Sequence, residues 1–365
     1  MAGAARTLAE RRRTNRGIAG WRIQCQSRSC SYSRNTDDDV TAPGIIAWKG
    51  TVVRRFTITA VVAAILLAVT GCLTPLTSQP PQPTPPRQLA PVPTPASPLV
   101  GVYEPGSPGS YSGVTGFTSA TGVKPKIVVY YSSWNDPFAT SFAETASEHG
   151  AYVLVQLEPS NVSLASVAAG AADSYLRSYA QAVAAFGFPV ILSFGHEMNG
   201  NWYSWGDGHT APATYVAAWR HIVQVFRAQK AANVTWLWAV NSVDGASSDL
   251  SQWWPGASYV NWTGIDGYFF QPTDTFDSLF GSTIADIRTF SDAPMMIAET
   301  AVGTTSNRDS QINALFAGVS ANNLAGVVWF DEAQDSGLYH QDWRLEDDPS
   351  ALKAFTTAVA ANLGR

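Results

Sequence analysis

Residues 189–206 read PVILSFGHEMNGNWYSWG. Pro189–Phe194 is a short run of β-branched, apolar and aromatic residues, which is the pattern of a strand. The run stops at Gly195, and His196, Glu197, Asn199, Trp202 and Trp205 follow at once. The strand therefore ends in chemistry-bearing side chains.

The same pattern recurs on both sides of this stretch. Leu99–Tyr103, Lys126–Tyr131, Tyr152–Leu157, Val234–Val240, Thr263–Tyr268, Met295–Ala298 and Gly326–Phe330 read as further strands. Ala-rich amphipathic stretches alternate with them, among them Asp173–Phe186, Ala213–Ala231, Thr275–Phe290, Gln311–Ala321 and Pro349–Leu363. Eight strand–helix units within residues 99–365 predict an α/β fold of the TIM-barrel type, a (β/α)8 barrel, for which about 250 residues is typical. The competing doubly wound open sheet binds its ligand at a switch point, often with a Gly-rich phosphate turn. Neither GxGxxG nor GxxxxGK[ST] occurs.

In a barrel the chemistry sits at the C-terminal ends of the strands. Those ends are Tyr103-Glu104-Pro105, Ser132-Ser133-Trp134-Asn135, Glu158-Pro159, Gly195 through Asn199, Asn241, Asp266-Gly267-Tyr268, Glu299-Thr300 and Trp329 through Glu332. Glu197 ends the fourth strand and Glu299 the seventh, each after a strongly apolar run. Two carboxylates on one barrel mouth are what glycoside hydrolysis uses, one as proton donor and one as nucleophile. The same positions would also suit glutamates that are merely ion-paired with arginines. Glu104 and Glu158 would either line the groove or act as structural hydrogen-bond partners, and Trp134, Trp205, Trp253 and Trp254 would be core or rim. Gly200 stands where a zinc protease motif H-E-x-x-H needs its second His, and no GxSxG elbow is present.

Composition narrows the classes. The chain has 365 residues, 45% hydrophobic and 14% charged, with a net charge of -5. That is enough apolar material for a large core, and an acidic balance argues against nucleic acid as a partner. Thirteen Trp hint at faces on which sugar rings stack. Cys25, Cys30 and Cys72 are the only cysteines, so the body holds no disulfide framework and no cysteine zinc site.

The front of the chain differs from the rest. Residues 1–55 carry 11 basic and 4 acidic residues, leaving 12 basic against 24 acidic beyond them. Residues 54–72 run from Arg54-Arg55 through an apolar stretch to Val69-Thr70-Gly71-Cys72, which reads as a signal peptide with a lipobox and Cys72 as the lipidated residue. The alternative is an uncleaved membrane anchor continuing to Leu76. Either one places the body outside the cytoplasm, attached to the outer face of the membrane. Residues 1–53 are a leader ahead of a true start near Val52 or Val53, or else a cytoplasmic tail. Residues 73–98 are a Pro-rich, semi-extended linker.

Three segments are similar in order to those of glycoside hydrolase family 26. Gly195 through Gly206 resembles its acid/base motif. Trp254-Pro255-Gly256, Tyr259-Val260 and Gly264 through Tyr268 resemble its fifth-to-sixth-strand region. Pro294 through Glu299 resembles its nucleophile strand. The resemblance implies a retaining mechanism with Glu197 as acid/base and Glu299 as nucleophile. It implies that His196 hydrogen-bonds within the site, that Trp202 borders it, and that Tyr268 contacts the nucleophile with Asp266 in the same cluster. Trp329 resembles the platform beneath the cleaved sugar. Asn261 departs from the family's usual Asp, ahead of the sixth strand. The implied substrate is a polysaccharide, most often β-1,4-mannan, with mixed-linkage β-glucan and β-1,3-xylan as variants. A catalytically silent glycan-binding barrel is the rival reading. No metal or organic cofactor is implied, and a monomer is expected.

Overall fold

A computed structural model describes residues 89–243, 249–334 and 340–363 of the chain. Cys72, the signal or anchor segment, residues 1–53 and most of the Pro-rich linker lie outside the described residues.

Eight strands form the sheet: β1 (Leu99–Tyr103), β2 (Ile127–Ser133), β3 (Tyr152–Glu158), β4 (Val190–Phe194), β5 (Val234–Asn241), β6 (Trp262–Asp266), β7 (Met295–Thr300) and β8 (Gly326–Phe330). Each pairs in parallel with its sequence neighbours, and β8 pairs with β1 to close the barrel. The helices are α1 (Ser112–Thr121), α2 (Thr140–Glu148), α3 (Leu164–Ala168), α4 (Asp173–Phe186), α5 (Pro212–Ala228), α6 (Ser282–Arg288), α7 (Arg308–Ala321) and α8 (Pro349–Asn362). α4 shows why they form. Leu176, Tyr179, Ala180 and Val183 make one buried stripe at helical spacing, and Gly187 ends the helix in the left-handed region. Asp348 caps α8 by accepting from the Ser350 and Ala351 amides, with Pro349 at the first helical position. The expected helix Thr275–Phe290 divides instead into a π turn, Asp277–Gly281, and α6.

Strand alternation builds two cores. Ile127, Val129, Leu154, Ile191, Leu237, Ala298 and Val328 fill the barrel interior. Val128, Tyr130, Val153, Val155, Val327 and Trp329 face the helices. Val92, read from sequence as linker, belongs to the interior core and donates its amide to Thr235 Oγ1 at 2.7 Å. The end of the Pro-rich segment thus packs into the barrel.

The register shifts within β7. Ile297 pairs with Val327 but Thr300 with Trp329, so three steps of β7 face two of β8. This one-residue bulge brackets Glu299. Simple alternation from Met296 and Ala298, both inward, would turn Glu299 outward. The bulge re-aims it.

Candidate active site

Glu197 sits just past β4, on backbone in the left-handed region (φ 53°), and Gly195 adopts φ 55°. The Glu197 amide bonds to Ala239 O at 3.0 Å. Asn199 clamps the loop to the end of β5: its Oδ1 accepts from the Asn241 amide at 2.9 Å, and its Nδ2 donates to the Asn241 carbonyl at 2.8 Å. The Glu197 carboxyl is buried. Oε1 accepts from Asn241 Nδ2 at 2.9 Å and Oε2 from Trp202 Nε1 at 2.8 Å. Trp202 itself is 50% exposed and forms the border of the site.

Glu299 receives both of its hydrogen bonds from phenols. Tyr131 donates to Oε2 and Tyr268 to Oε1. No ion pair among the described residues includes Glu197 or Glu299. The ion-paired reading of these glutamates therefore does not hold.

The two carboxyls feel each other. Burial, then the charge of Glu299, pushes Glu197 up to about 7. Glu299 is also raised by burial, with the Tyr131 and Tyr268 hydroxyls working against the rise. Glu158, inward at the end of β3, is pushed up to about 7 by burial and by Glu299. Asp266 is fully buried at the end of β6, and neither of its carboxyl oxygens has a hydrogen-bond partner among the described residues. Burial and the charges of Glu299 and Glu197 hold it well above the usual carboxylate range. Glu332, after β8, is likewise raised by burial and then by Glu299. Among the described residues these carboxyls crowd one mouth and no cation is among the causes of their shifts, which favours protonation of most of them.

His196 is buried and its pKa falls to about 3, so the ring is neutral at ordinary pH. It packs edge-on against Tyr203 at 5.1 Å, and its Nδ1 has no hydrogen-bond partner among the described residues. The donors to Glu299 are tyrosines, not this histidine.

The structure brings Glu197, Glu299, His196, Trp202, Asp266 and Tyr268 to one mouth. Trp329 is the exception. Val328 and Phe330 take the inward positions of β8, and Trp329 points to α8, where its ring meets Phe355 at 5.5 Å. Its Nε1 bonds to Asp331 Oδ1 and to Trp343 O, both at 3.1 Å, and it is fully buried. It is a core residue and no platform. Trp343, from the loop before α8, lies instead against Tyr268 at 4.8 Å. Sequence reading also left out Tyr131. The alternation Ile127, Val129, Tyr131 marks it as inward-facing, and that signal was available. Asn241 was visible as a strand end without a role. Asn261 accepts from the Trp236 amide at 2.9 Å, fixing the start of β5 far from the glutamates' hydrogen-bond partners. Among the described residues one group of three acids has metal-ligand spacing, Glu104, Asp331 and Glu346, and it lies on the outer side of the barrel wall.

The model of the family described as glycosyl hydrolase family 26 matches residues 145–348. Endoglucanase H of Acetivibrio thermocellus is 31% identical over 274 residues, which cover 70% of this chain and 30% of that protein. Mannan endo-1,4-beta-mannosidase A and B of Caldalkalibacillus mannanilyticus is 33% identical over 98 residues, 25% of this chain and 18% of that protein. The chain thus spans less than a third of the length of these curated relatives. Among solved structures, the catalytic domain of a GH26 endo-beta-1,4-mannanase from Bacillus sp. JAMB-750 aligns with a TM-score of 0.60 at 16% identity, covering 74% of this chain and 87% of that one. That likeness concerns the barrel fold.

Proposed function

We propose that this chain, which belongs to glycosyl hydrolase family 26, hydrolyses internal β-glycosidic bonds of a polysaccharide with retention of configuration. Glu299 is the nucleophile and Glu197 the acid/base in this reading. The observation that carries it is the unequal treatment of two carboxyls at one mouth. Each accepts two hydrogen bonds from neutral donors, but no neighbouring charge adds to the burial of Glu299, whereas the charge of Glu299 raises Glu197, so Glu299 is favoured as the anion. Glu197 is buried beside that anion and keeps its proton up to about 7. Each of its oxygens accepts one hydrogen bond, Oε1 from Asn241 and Oε2 from Trp202, and each keeps a lone pair for the transferable proton. Once Glu299 is esterified by the sugar, its charge is gone. Glu197 then ionises more readily and acts as base toward water.

β-1,4-Mannan is the first substrate of this proposal, supported by the mannosidase similarity. Mixed-linkage β-glucan is the second, supported by the longer match to the endoglucanase. The pair Glu197 and Glu299 disfavours a silent glycan-binding barrel. Export and attachment to the outer face of the membrane through Cys72 belong to the same proposal and rest on the Arg54–Cys72 segment. Cys72→Ala should release the body from membranes, and undiminished membrane retention would refute lipid attachment.

The mechanism is tested with the two glutamates separately. Glu299→Ala should abolish turnover on mannan, β-glucan and xylan alike. Glu197→Ala should still form the covalent intermediate on a dinitrophenyl glycoside, which needs little protonation, and azide should restore its breakdown. Two variants with parental activity on a substrate that the parent cleaves would remove the assignment.

A further inference from the structure

We propose that Glu104, Asp331 and Glu346 form a calcium-class divalent cation site that ties the loop before α8 to the end of β1, outside the sugar groove. Glu104 follows β1 and Asp331 follows β8. These strands are neighbours, with Tyr103 paired to Phe330 and the Asp331 amide bonded to Tyr103 O at 3.0 Å. Tyr103 and Phe330 face inward and stack at 4.7 Å. The next residue on each strand therefore turns outward, toward the helices. Glu346 reaches the same place from the loop that precedes α8.

One carboxyl oxygen from each of the three lies within 4.8 Å of the others. Three protein carboxylates around one point suit calcium, which takes six to eight oxygen ligands, better than magnesium, which keeps several waters and is usually held through one or two carboxylates. A pocket of ≈ 290 Å³ opens beside them, lined by Glu104, Pro105, Asp331, Arg344, Glu346 and Asp347. Exposed Glu346 marks its entrance.

A second observation distinguishes this group from an ordinary acidic surface. Glu104 is only 7% exposed, it lines the pocket, and among the described residues no group donates a hydrogen bond to its Oε1. Leaving such an acceptor buried and unpaired is costly. Arg344, the one cation in the lining, is committed to Asp342 at 2.7 Å and Asp347 at 2.8 Å. A divalent ion would neutralise the group and complete the coordination of Glu104, with water filling its open face.

The site would have a structural reach. Asp331 Oδ1 already accepts from the Leu345 amide and from Trp329 Nε1, both at 3.1 Å. Trp343, two residues earlier on the same loop, packs on Tyr268, which donates to Glu299. An ion at Glu346 would hold the loop that carries this ring.

The test needs no sugar substrate, so it is independent of the glycosidase assignment. The chain is stripped with a chelator, then titrated calorimetrically with calcium chloride and melted with and without it. One saturable site is expected, with Kd of about 0.1–1 mM as in other extracellular modules. Calcium at about 10 mM should raise Tm by roughly 3–8 °C, the shift that about 10- to 100-fold saturation gives a domain of this size. Glu346→Gln, at an exposed position, should keep the metal-free Tm and lose both the binding heat and the shift. Asp331→Asn should lose them too. Absence of saturable binding in the stripped parent, or a full calcium shift in Glu346→Gln, would overturn the proposal. So would an equal or larger shift with magnesium. A melt that depends on pH but not on calcium would also overturn it, in favour of a proton shared among the three acids.

Discussion

Glu299 takes its hydrogen bonds from Tyr131 and Tyr268 rather than from a cation. The choice has a consequence for pH dependence. A cation would hold the carboxylate ionised at long range and would also draw the proton from Glu197. Neutral hydroxyls stabilise only the oxygens they touch, so Glu299 can be the anion while its negative charge still helps Glu197 keep a proton. A hydrogen bond to a charged group is worth about 1.5–3 kcal/mol, or roughly 10- to 100-fold in rate. Tyr268→Phe should therefore lower kcat by about that factor and move the acid limb of kcat/KM upward, because Glu299 becomes harder to ionise. An unchanged acid limb in this variant would deny the hydroxyl that role. In the parent the alkaline limb should fall as pH rises through about 7, where Glu197 gives up its proton. The two limbs belong to the coupled pair, and each is read as an apparent value.

At the scale of elements, the ends of β4 and β7 depart from plain strand geometry, and the end of β8 keeps to it. β4 leaves the sheet through Gly195 at φ 55°. A Cβ there would stand 3.1 Å from Trp205 Cδ1 and in a conformation that L side chains resist. Gly195→Ala should cost about 1–2 kcal/mol from the backbone alone and lower activity with it, since Glu197 is two residues on. β7 carries the extra residue that turns Glu299 inward. β8 keeps strict alternation, and that is why Trp329 belongs to the packing between barrel and α8 while Phe330 faces the mouth. Trp329→Ala should accordingly cost about 3–5 kcal/mol in denaturant unfolding, as a large core truncation does. The KM of the fraction that remains folded should hardly change. A selective rise in KM without loss of stability would restore Trp329 to the sugar site.

The whole barrel places many acids in one low-dielectric mouth, and this sets its response to pH. Glu197 and Glu158 are both pushed up to about 7, chiefly by burial. An unfolded glutamate titrates near 4.3. The folded state therefore binds more protons than the unfolded chain between those values, and stability falls as pH rises. Their contribution is fully present below about 4.3 and is lost as pH climbs through about 7. In metal-free buffer the calorimetric Tm should thus be higher at pH 5.5 than at pH 8, a pair of conditions about one unit or more either side of the folded values. A Tm that rises between these conditions would mean that the mouth is better solvated than its burial implies.

The sequence by itself determined whatever depends on near neighbours along the chain. Strand and helix periods are local, and they placed eight strand–helix units and several of the helices within a few residues of where they stand. Glu197 and Glu299 were legible because a carboxylate directly after an apolar strand is a local pattern, and a closed barrel sends every such strand end to one rim. The family resemblance added Trp202, Tyr268, Asp266 and His196, all of which reach that rim. Only the tertiary structure decided which groups touch. Tyr131 donates to Glu299 across 168 residues, because two distant strands close into one barrel. The resemblance implied a platform role for Trp329, but the face of a strand residue follows from the register against neighbouring strands, and that register turns Trp329 toward the helices. The inward turn of Glu299 needs an extra residue in β7 relative to β8, and a bulge is a property of two paired strands. Val92 fills the barrel interior although it lies in a Pro-rich segment, since only the closed barrel offers a cavity to receive it. The acids Glu104, Asp331 and Glu346 meet for the same reason: β1 and β8 become neighbours only when the ring of strands is complete.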